Sequence, residues 1–278
     1  MSKSNAIKTF RDLLSFLTII PLAQTEDFLE TSAKNIFLFP LVGGLIGLLG
    51  AGYFVGSGFI LSYLLAFVTF LTHLPTGLLL RALPAAMTLA FLLILTGFQH
   101  FDGLVDLGNA LGLKKMEERR EIAHRWVVTY RGALLAIFVE FASFAGLFLV
   151  SGNLAIRALI VAEVCAKLSM VTIVWRGKPS HAGLGARFIE KANRKINFLA
   201  YAISFLIGFL LLGFAGLLVV AIAGLFGLFM VKVGENVFGG VSGDMIGATN
   251  EASRALTLVL AAGVSVFVSA LLAGAFSL

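Results

Sequence analysis

Long apolar runs alternate with three polar stretches along most of the chain. The runs fall at 36–55, 57–73, 83–98, 132–150, 153–174, 197–213, 214–232 and 256–276. About 20 apolar residues of helix cross a bilayer core, and most of these runs are near that length. The pattern predicts an all-α, polytopic integral membrane protein with about seven to eight transmembrane segments. The second and third runs are short. The first carries Phe39-Pro40-Leu41-Val42-Gly43-Gly44. Such glycines either let neighbouring helices pack closely or mark a broken element beside a site. Ahead of the runs, Phe10 to Leu22 is a short amphipathic stretch ended by Pro21. It is too short to span and predicts an interfacial helix. Glu26, Asp27 and Glu30 follow as a solvated loop. No linker, repeat or soluble domain interrupts the pattern, so residues 1–278 read as a single membrane domain.

The polar stretches are 99–131, 175–196 and 233–255. Two apolar runs separate each from the next, so all three share one face. The first holds Lys114, Lys115, Arg119, Arg120, Arg125 and Arg131; the second holds Arg176, Lys178, Arg187, Lys191, Arg194 and Lys195. Basic loops face the cytoplasm, which predicts a cell-membrane protein with its active-site loops inside. Upstream the parity conflicts. Three apolar runs separate residue 34 from the first loop, which puts Lys3, Lys8, Arg11 and Lys34 outside unless one run is re-entrant. Charged residues make up only 13 % of the chain, about half the share of a soluble domain. That excludes the soluble classes, and the net charge of +6 reports topology before it reports any partner. Nothing points to nucleic acid. The lone Cys165 stands in an apolar run and reads as packing.

Candidate chemistry concentrates in Gly97 to Asn109, which brings His100, Asp102, Asp106 and Asn109 together. On a helix, Asp102 and Asp106 lie four apart on one face, joined by Asn109. The plainer account is a helix end with two solvated acids. A second glycine-punctuated acidic stretch, Phe238 to Glu251, strengthens the alternative. There Asp244 and Glu251 stand about two helical turns apart. Two such segments abutting membrane helices read as halves of one polar site. Crowded carboxylates favour a cation between them, and oxygen ligands suit Mg²⁺. In the middle loop, Gly183 and Gly185 flank a turn between Lys178 and Arg187, and backbone amides there can take phosphate oxygens. Carboxylates for metal and cations for phosphate make the inventory of phosphoryl transfer. The basic clusters also serve topology and lipid head-group contact.

Five of these stretches together resemble the cobalamin synthase (adenosylcobinamide-GDP ribazoletransferase) family. His100-Phe101-Asp102-Gly103-Leu104-Val105-Asp106 is similar to its His-Leu-Asp-Gly-Leu-Ala-Asp core. Phe16-Leu17-Thr18-Ile19-Ile20-Pro21 resembles its Phe-Leu-Thr-Arg-x-Pro opening, with Ile19 in place of Arg. Phe39-Pro40-Leu41-Val42-Gly43, Gly183-Leu184-Gly185 and Gly239-Gly240-Val241-Ser242-Gly243-Asp244 match further family runs. The departures fall on substrate contacts more than on the acids. The family's Asp-Ser-Arg-x-Gly before Gly132 is missing, Asn109-Ala110 stands where Asp-Gly is usual, and Lys167 replaces Arg.

The resemblance implies a Mg²⁺-dependent transfer of adenosylcobinamide phosphate from adenosylcobinamide-GDP to α-ribazole or its 5′-phosphate, with release of GMP. It implies Asp102, Asp106 and Asp244 as metal ligands, Glu251 as ligand or base, and Asn109 and Asn250 as secondary ligands. Arg131, Lys178 and Arg187 are the expected phosphate contacts, with Gly183 and Gly185 beside them and His100 orienting an acid or binding phosphate. Two rivals stand: another membrane phospho- or prenyltransferase with paired Asp motifs, and a polytopic transporter. The denser acidic strings of the former are absent. A transporter places ionisable groups mid-span, where this chain has only Glu140, Arg157 and Glu163, and Glu163 has Lys167 four residues on as a helix-interface partner. Membrane lipid is an expected partner, and self-association is left open.

Overall fold

The computed structural model describes residues 3–22, 27–123, 125, 127–150, 152–192 and 195–275, with side chains described between residues 6 and 266. Glu26 and Arg194 lie outside the described residues, as does the side chain of Lys3. The described chain is helical throughout, with one isolated bridge between Pro179 and Val241.

The hub is a helix at Asn153–Arg176, numbered α8 in chain order, in which every residue from Val161 to Val174 is buried. This stretch carries Glu163, Lys167, Ser169 and Thr172 among its apolar residues, and such polar groups in a membrane helix face the protein interior rather than lipid. Around it pack α3 (Phe39–Thr72), α10 (Phe198–Phe238) and α11 (Gly243–Ala275). The contact with α3 is close: a Cβ on Gly47 would stand 2.6 Å from the Ile160 Cα. The glycines of the first apolar run therefore serve helix packing.

Three corrections to the sequence-based elements follow. First, the runs at 36–55 and 57–73 are one continuous helix, α3, of 34 residues. At 1.5 Å per residue it extends about 51 Å. Gly56-Ser57-Gly58 lowers the local hydropathy but does not break the helix. Only α3 and α4 (Gly77–Leu95) then separate residue 34 from the first loop. This removes the parity conflict and brings the N-terminal helices to the loop face. There α1 (Lys3–Leu17) stacks Phe16 on Phe188, centroids 4.7 Å apart, and α2 (Phe28–Lys34) places Glu30 3.5 Å from Lys191. The interfacial helix thus starts earlier than Phe10 and stops before Pro21.

Second, α4 starts at Gly77 rather than at 83, because Arg81 is tolerated at the opposite end. Its guanidinium donates to the Phe148 carbonyl at 3.1 Å and lies over the Phe148 ring, a long side chain reaching out of the apolar zone. Third, α11 starts at Gly243, well before the run at 256. Its first turns carry Asp244, Glu251 and Arg254, which lower hydropathy but are housed against other helices.

The runs at 197–213 and 214–232 correspond to the two arms of α10. Gly213, at φ +60° and ψ −140°, interrupts the helix there. A Cβ on Gly208 would meet Val220, and one on Gly224 would meet Tyr201. Neighbours that approach as the chain recedes from Gly213 on both sides define an antiparallel hairpin. A left-handed φ at such a sharp reversal is glycine's to supply.

Among the described residues, five helices are long and apolar enough to cross a membrane, with the α10 hairpin counted as one; the chain is a polytopic, all-α membrane protein. Of the ionisable groups within apolar runs, Arg157 is exposed near the start of α8. Glu163 pairs with Lys167 as its spacing suggests, at 3.2 Å.

The candidate active site at the loop face

Gly97 and Phe98, both with positive φ, break the chain after α4 and start α5, Gln99–Leu111. Asp102 and Asp106 therefore share one helix, as their spacing predicts. This helix is not a span: it is wedged among α11, α7 (Tyr130–Leu149) and the short α6 (Met116–Ala123), and everything from Gly103 to Ala110 is buried. Gly103 is the point of closest approach to α11, where a Cβ would stand 2.5 Å from the Asp244 carbonyl oxygen. Any larger residue would push the two acidic segments apart. On α11, Ser242 accepts from the Met245 amide at 3.2 Å and donates to Asp244 Oδ2 at 3.3 Å. It caps the helix and holds the aspartate in its first turn, where the helix dipole favours negative charge.

The three loops touch. Arg119 donates to the Asn236 carbonyl at 2.9 Å, and Arg120 donates twice to that of Phe238. The Val241 amide donates to the Lys178 carbonyl at 2.7 Å. At Gly185, the first turn of α9 (Leu184–Lys191) sits directly on Ser242 and Gly243. The shared face read from chain parity is thus a physical assembly.

Two cavities meet at Asp102 and Asp244. One, of about 330 Å³, adds Asp106, Arg125, Val127 and Val128. The other, of about 450 Å³, continues from the same aspartates toward His100 and the 181–185 loop. Burial, then the carboxylates of Asp244 and Asp102, push the Asp106 carboxyl up to about 7. Three acids that repel one another at one cavity are an environment that a divalent cation relieves. Among the described residues, no three His, Cys, Asp or Glu side chains form a ready-made metal cage. The donor set nonetheless fits Mg²⁺, which keeps several waters and takes only one or two carboxylates plus substrate phosphates.

Several predicted residues lie elsewhere. Glu251 is fully buried and lines neither cavity. It pairs with Arg254 and accepts from Asn250 Nδ2 at 3.0 Å. Depth is the reason: two helical turns below Asp244, it lies inside the helix packing. Asn250 is buried too, its oxygen accepting from Lys167 Nζ at 2.6 Å. The oxygen of Asn109 accepts from the Thr129 amide and hydroxyl, and its nitrogen donates to the Val127 carbonyl. It fastens the cavity wall to α5, and its nitrogen also donates to Asp106 Oδ1 at 3.4 Å, so both its polar atoms are engaged by the protein. Arg131 lies against its neighbour Tyr130, donating to the phenol at 2.7 Å. Arg187 turns outward to a separate hollow with Glu30 and Lys191, while Lys178 is exposed and contributes its backbone.

Gly183, Gly185 and His100 do line the larger cavity. Burial, with Lys167 and Arg254 nearby, holds the His100 imidazole well below its usual range, against a weaker opposing pull from Glu163. Its Nδ1 stands 3.9 Å from Glu251. The smaller cavity is also lined by Arg125, which is paired with Glu121 and is a residue of the first loop that the sequence reading did not single out. Its only signal there was membership of a basic run.

Comparisons with known proteins identify the family of the chain. The sequence model of the cobalamin-5-phosphate synthase family matches residues 9–262. The adenosylcobinamide-GDP ribazoletransferase of Methanosarcina barkeri is 30 % identical, over 91 % of both chains. That of Clostridium novyi is 31 % identical over 89 % of this chain and 93 % of its own. That of Thermococcus onnurineus is 32 % identical over 91 % and 96 %. No solved structure gives a significant match. With the motif-bearing loops assembled at one face and the match running nearly end to end, this chain is a membrane transferase belonging to the cobalamin-5-phosphate synthase family.

Proposed function

We propose that this chain transfers adenosylcobinamide phosphate from adenosylcobinamide-GDP to α-ribazole or its 5′-phosphate. A hydroxyl oxygen of the ribazole bonds to the cobinamide-side phosphorus. The phosphoanhydride P–O bond breaks, its electron pair leaves on GMP, and the hydroxyl proton passes to water. The product is adenosylcobalamin or its 5′-phosphate. The observation that carries this reading is the convergence of Asp102, Asp106 and Asp244, from opposite ends of the chain, on one pair of cavities. The names of the relatives supply the substrates.

Asp102, Asp106 and Asp244 would hold Mg²⁺, which when bound neutralises charge on the transferring phosphate. Arg125, whose guanidinium is paired with Glu121, lines the same cavity, and guanidinium suits phosphate. The Gly183–Gly185 backbone borders the other side. All of this sits in a single membrane domain of the cell membrane, with the basic loops in the cytoplasm.

The test is GMP release by purified protein in detergent, given adenosylcobinamide-GDP and α-ribazole, with and without Mg²⁺. Product only when both substrates and Mg²⁺ are present supports the proposal. No product from folded protein, or an unchanged rate in chelator, overturns it. Single cysteines at exposed Lys115 and Lys191 should react with an impermeant reagent only after cells are opened.

A further inference from the structure

The larger cavity has a wall that metal and phosphate chemistry does not require. Beyond Asp102 and Asp244 it runs between Phe16 of α1, Phe39 of α3 and Phe188 of α9, with Met170 and Val174 of α8 behind. Phe16 and Phe188 are stacked at 4.7 Å, and Phe39 lies 6.0 and 6.2 Å from them. These rings come from three separate elements, and Phe16 and Phe39 open the two N-terminal motifs that the acid chemistry left without a role. Among the described residues, the adjoining smaller cavity is lined by Arg125, Asp106 and aliphatic side chains.

The two halves ask for different chemistry. Seating a phosphate against three phenyl rings strips its hydration without replacement. A flat, apolar, bicyclic heterocycle gains there by burial and by ring stacking. The cavity volume of about 450 Å³ lies in the range that encloses a small ligand. We infer that the Phe16–Phe39–Phe188 cavity is the acceptor half-site. It takes the flat heterocycle of the attacking nucleoside, and the Arg125 cavity takes the phosphate-rich nucleotide side of the donor. This rests on the reading above that Asp102 and Asp244 flank the reacting phosphorus. The aspartates common to both cavities then stand where attacking and leaving oxygens lie on opposite sides of one phosphorus. The aromatic wall also makes base shape a determinant of specificity.

The experiment is steady-state kinetics on full-length protein in detergent, varying each substrate separately. Phe188→Leu should raise KM for α-ribazole about fivefold to tenfold, the loss of one ring contact, with donor KM changed less than about twofold. Arg125→Gln should do the reverse. The preference for α-ribazole over a nucleoside with a one-ring imidazole base should shrink in Phe188→Leu and not in Arg125→Gln. If Phe188→Leu does not fold, Phe16→Leu on α1 carries the same expectation. Equal KM increases for both substrates, a donor-only effect, or an unchanged base preference overturns the assignment. Equilibrium binding of α-ribazole to wild type and to Phe188→Leu separates this from failure of the function itself. Binding weakened by the substitution, in protein that shows no turnover, sinks the reaction and keeps the half-site. No α-ribazole binding to wild type sinks the half-site.

Discussion

Two groups of charged side chains lie within a few helical turns of each other and are built on opposite rules. At the loop face, Asp102, Asp106 and Asp244 are like charges gathered at one cavity. Below them, Glu163, Lys167, Glu251 and Arg254 are fully or almost fully buried, and opposite charges alternate. The lower group is largely paired within itself: Arg254 links Glu163 to Glu251, and Lys167 links Glu163 to Asn250. The upper group brings like charges together, and their mutual repulsion contributes to the raised Asp106. Carboxylates already joined to cations inside the fold have little left for a ligand, whereas like charges crowded at a cavity favour an added cation. On the proposed reading the difference gives Glu251 a structural role and Asp244 a chemical one, although one helix carries both.

The sharpest way to break this contrast is Arg254→Ala. It strands two buried carboxylates, and removing one partner of such a pair costs about 3–5 kcal/mol. The thermal midpoint in detergent should fall steeply, or the protein should fail to accumulate. A midpoint within a degree or two of wild type would mean that the lower group is hydrated and not structural.

Asp102→Asn and Asp106→Asn should cut Mg²⁺-dependent turnover about a hundredfold or more, with the midpoint preserved. Glu251→Gln should behave the other way, losing stability before Mg²⁺ affinity. If Asp102 and Asp244 act as one unit, as proposed, the double Asp→Asn variant should cost little more than the worse single change. Additivity within a few tenths of a kcal/mol would separate them.

A smaller effect is expected at Asn109. Alanine there deletes the three hydrogen bonds holding Val127 and Thr129 and the 3.4 Å donation to Asp106 Oδ1, for a loss of about 1–3 kcal/mol. Because that donation favours the ionised Asp106, Mg²⁺ affinity should fall near neutral pH and hold at about pH 9, and an equal drop at both would restore Asn109 as a ligand.

The mildest test is pH. The folded Asp106 carboxyl titrates at about 7, against an ordinary value of 3.8. Between those values the metal-free native state binds more protons than the unfolded chain, so its stability declines as pH rises through that window. Mg²⁺ needs the carboxylate and gains in the same direction. Apparent Mg²⁺ affinity should be about tenfold weaker at pH 6 than at pH 8. No change across that range would show that Asp106 is already ionised.

By itself the sequence determined the helical membrane class, because a run of apolar side chains has one stable answer in a bilayer. It also determined that Asp102 and Asp106 share a helix face, since that is local geometry. Loop parity put the three polar stretches on one side. Depth was not legible. Asp244 and Glu251 read alike in the chain, and only the packing of α11 against α5, α7 and α8 puts one at a cavity and the other inside. The unbroken α3 was hidden because hydropathy dips at small residues while helical hydrogen bonding does not. The partners of Arg254, the position of Arg125 and the wall formed by Phe16, Phe39 and Phe188 join residues far apart in the chain. Their meeting was decided by tertiary packing, because burial and pairing depend on what stands across the gap.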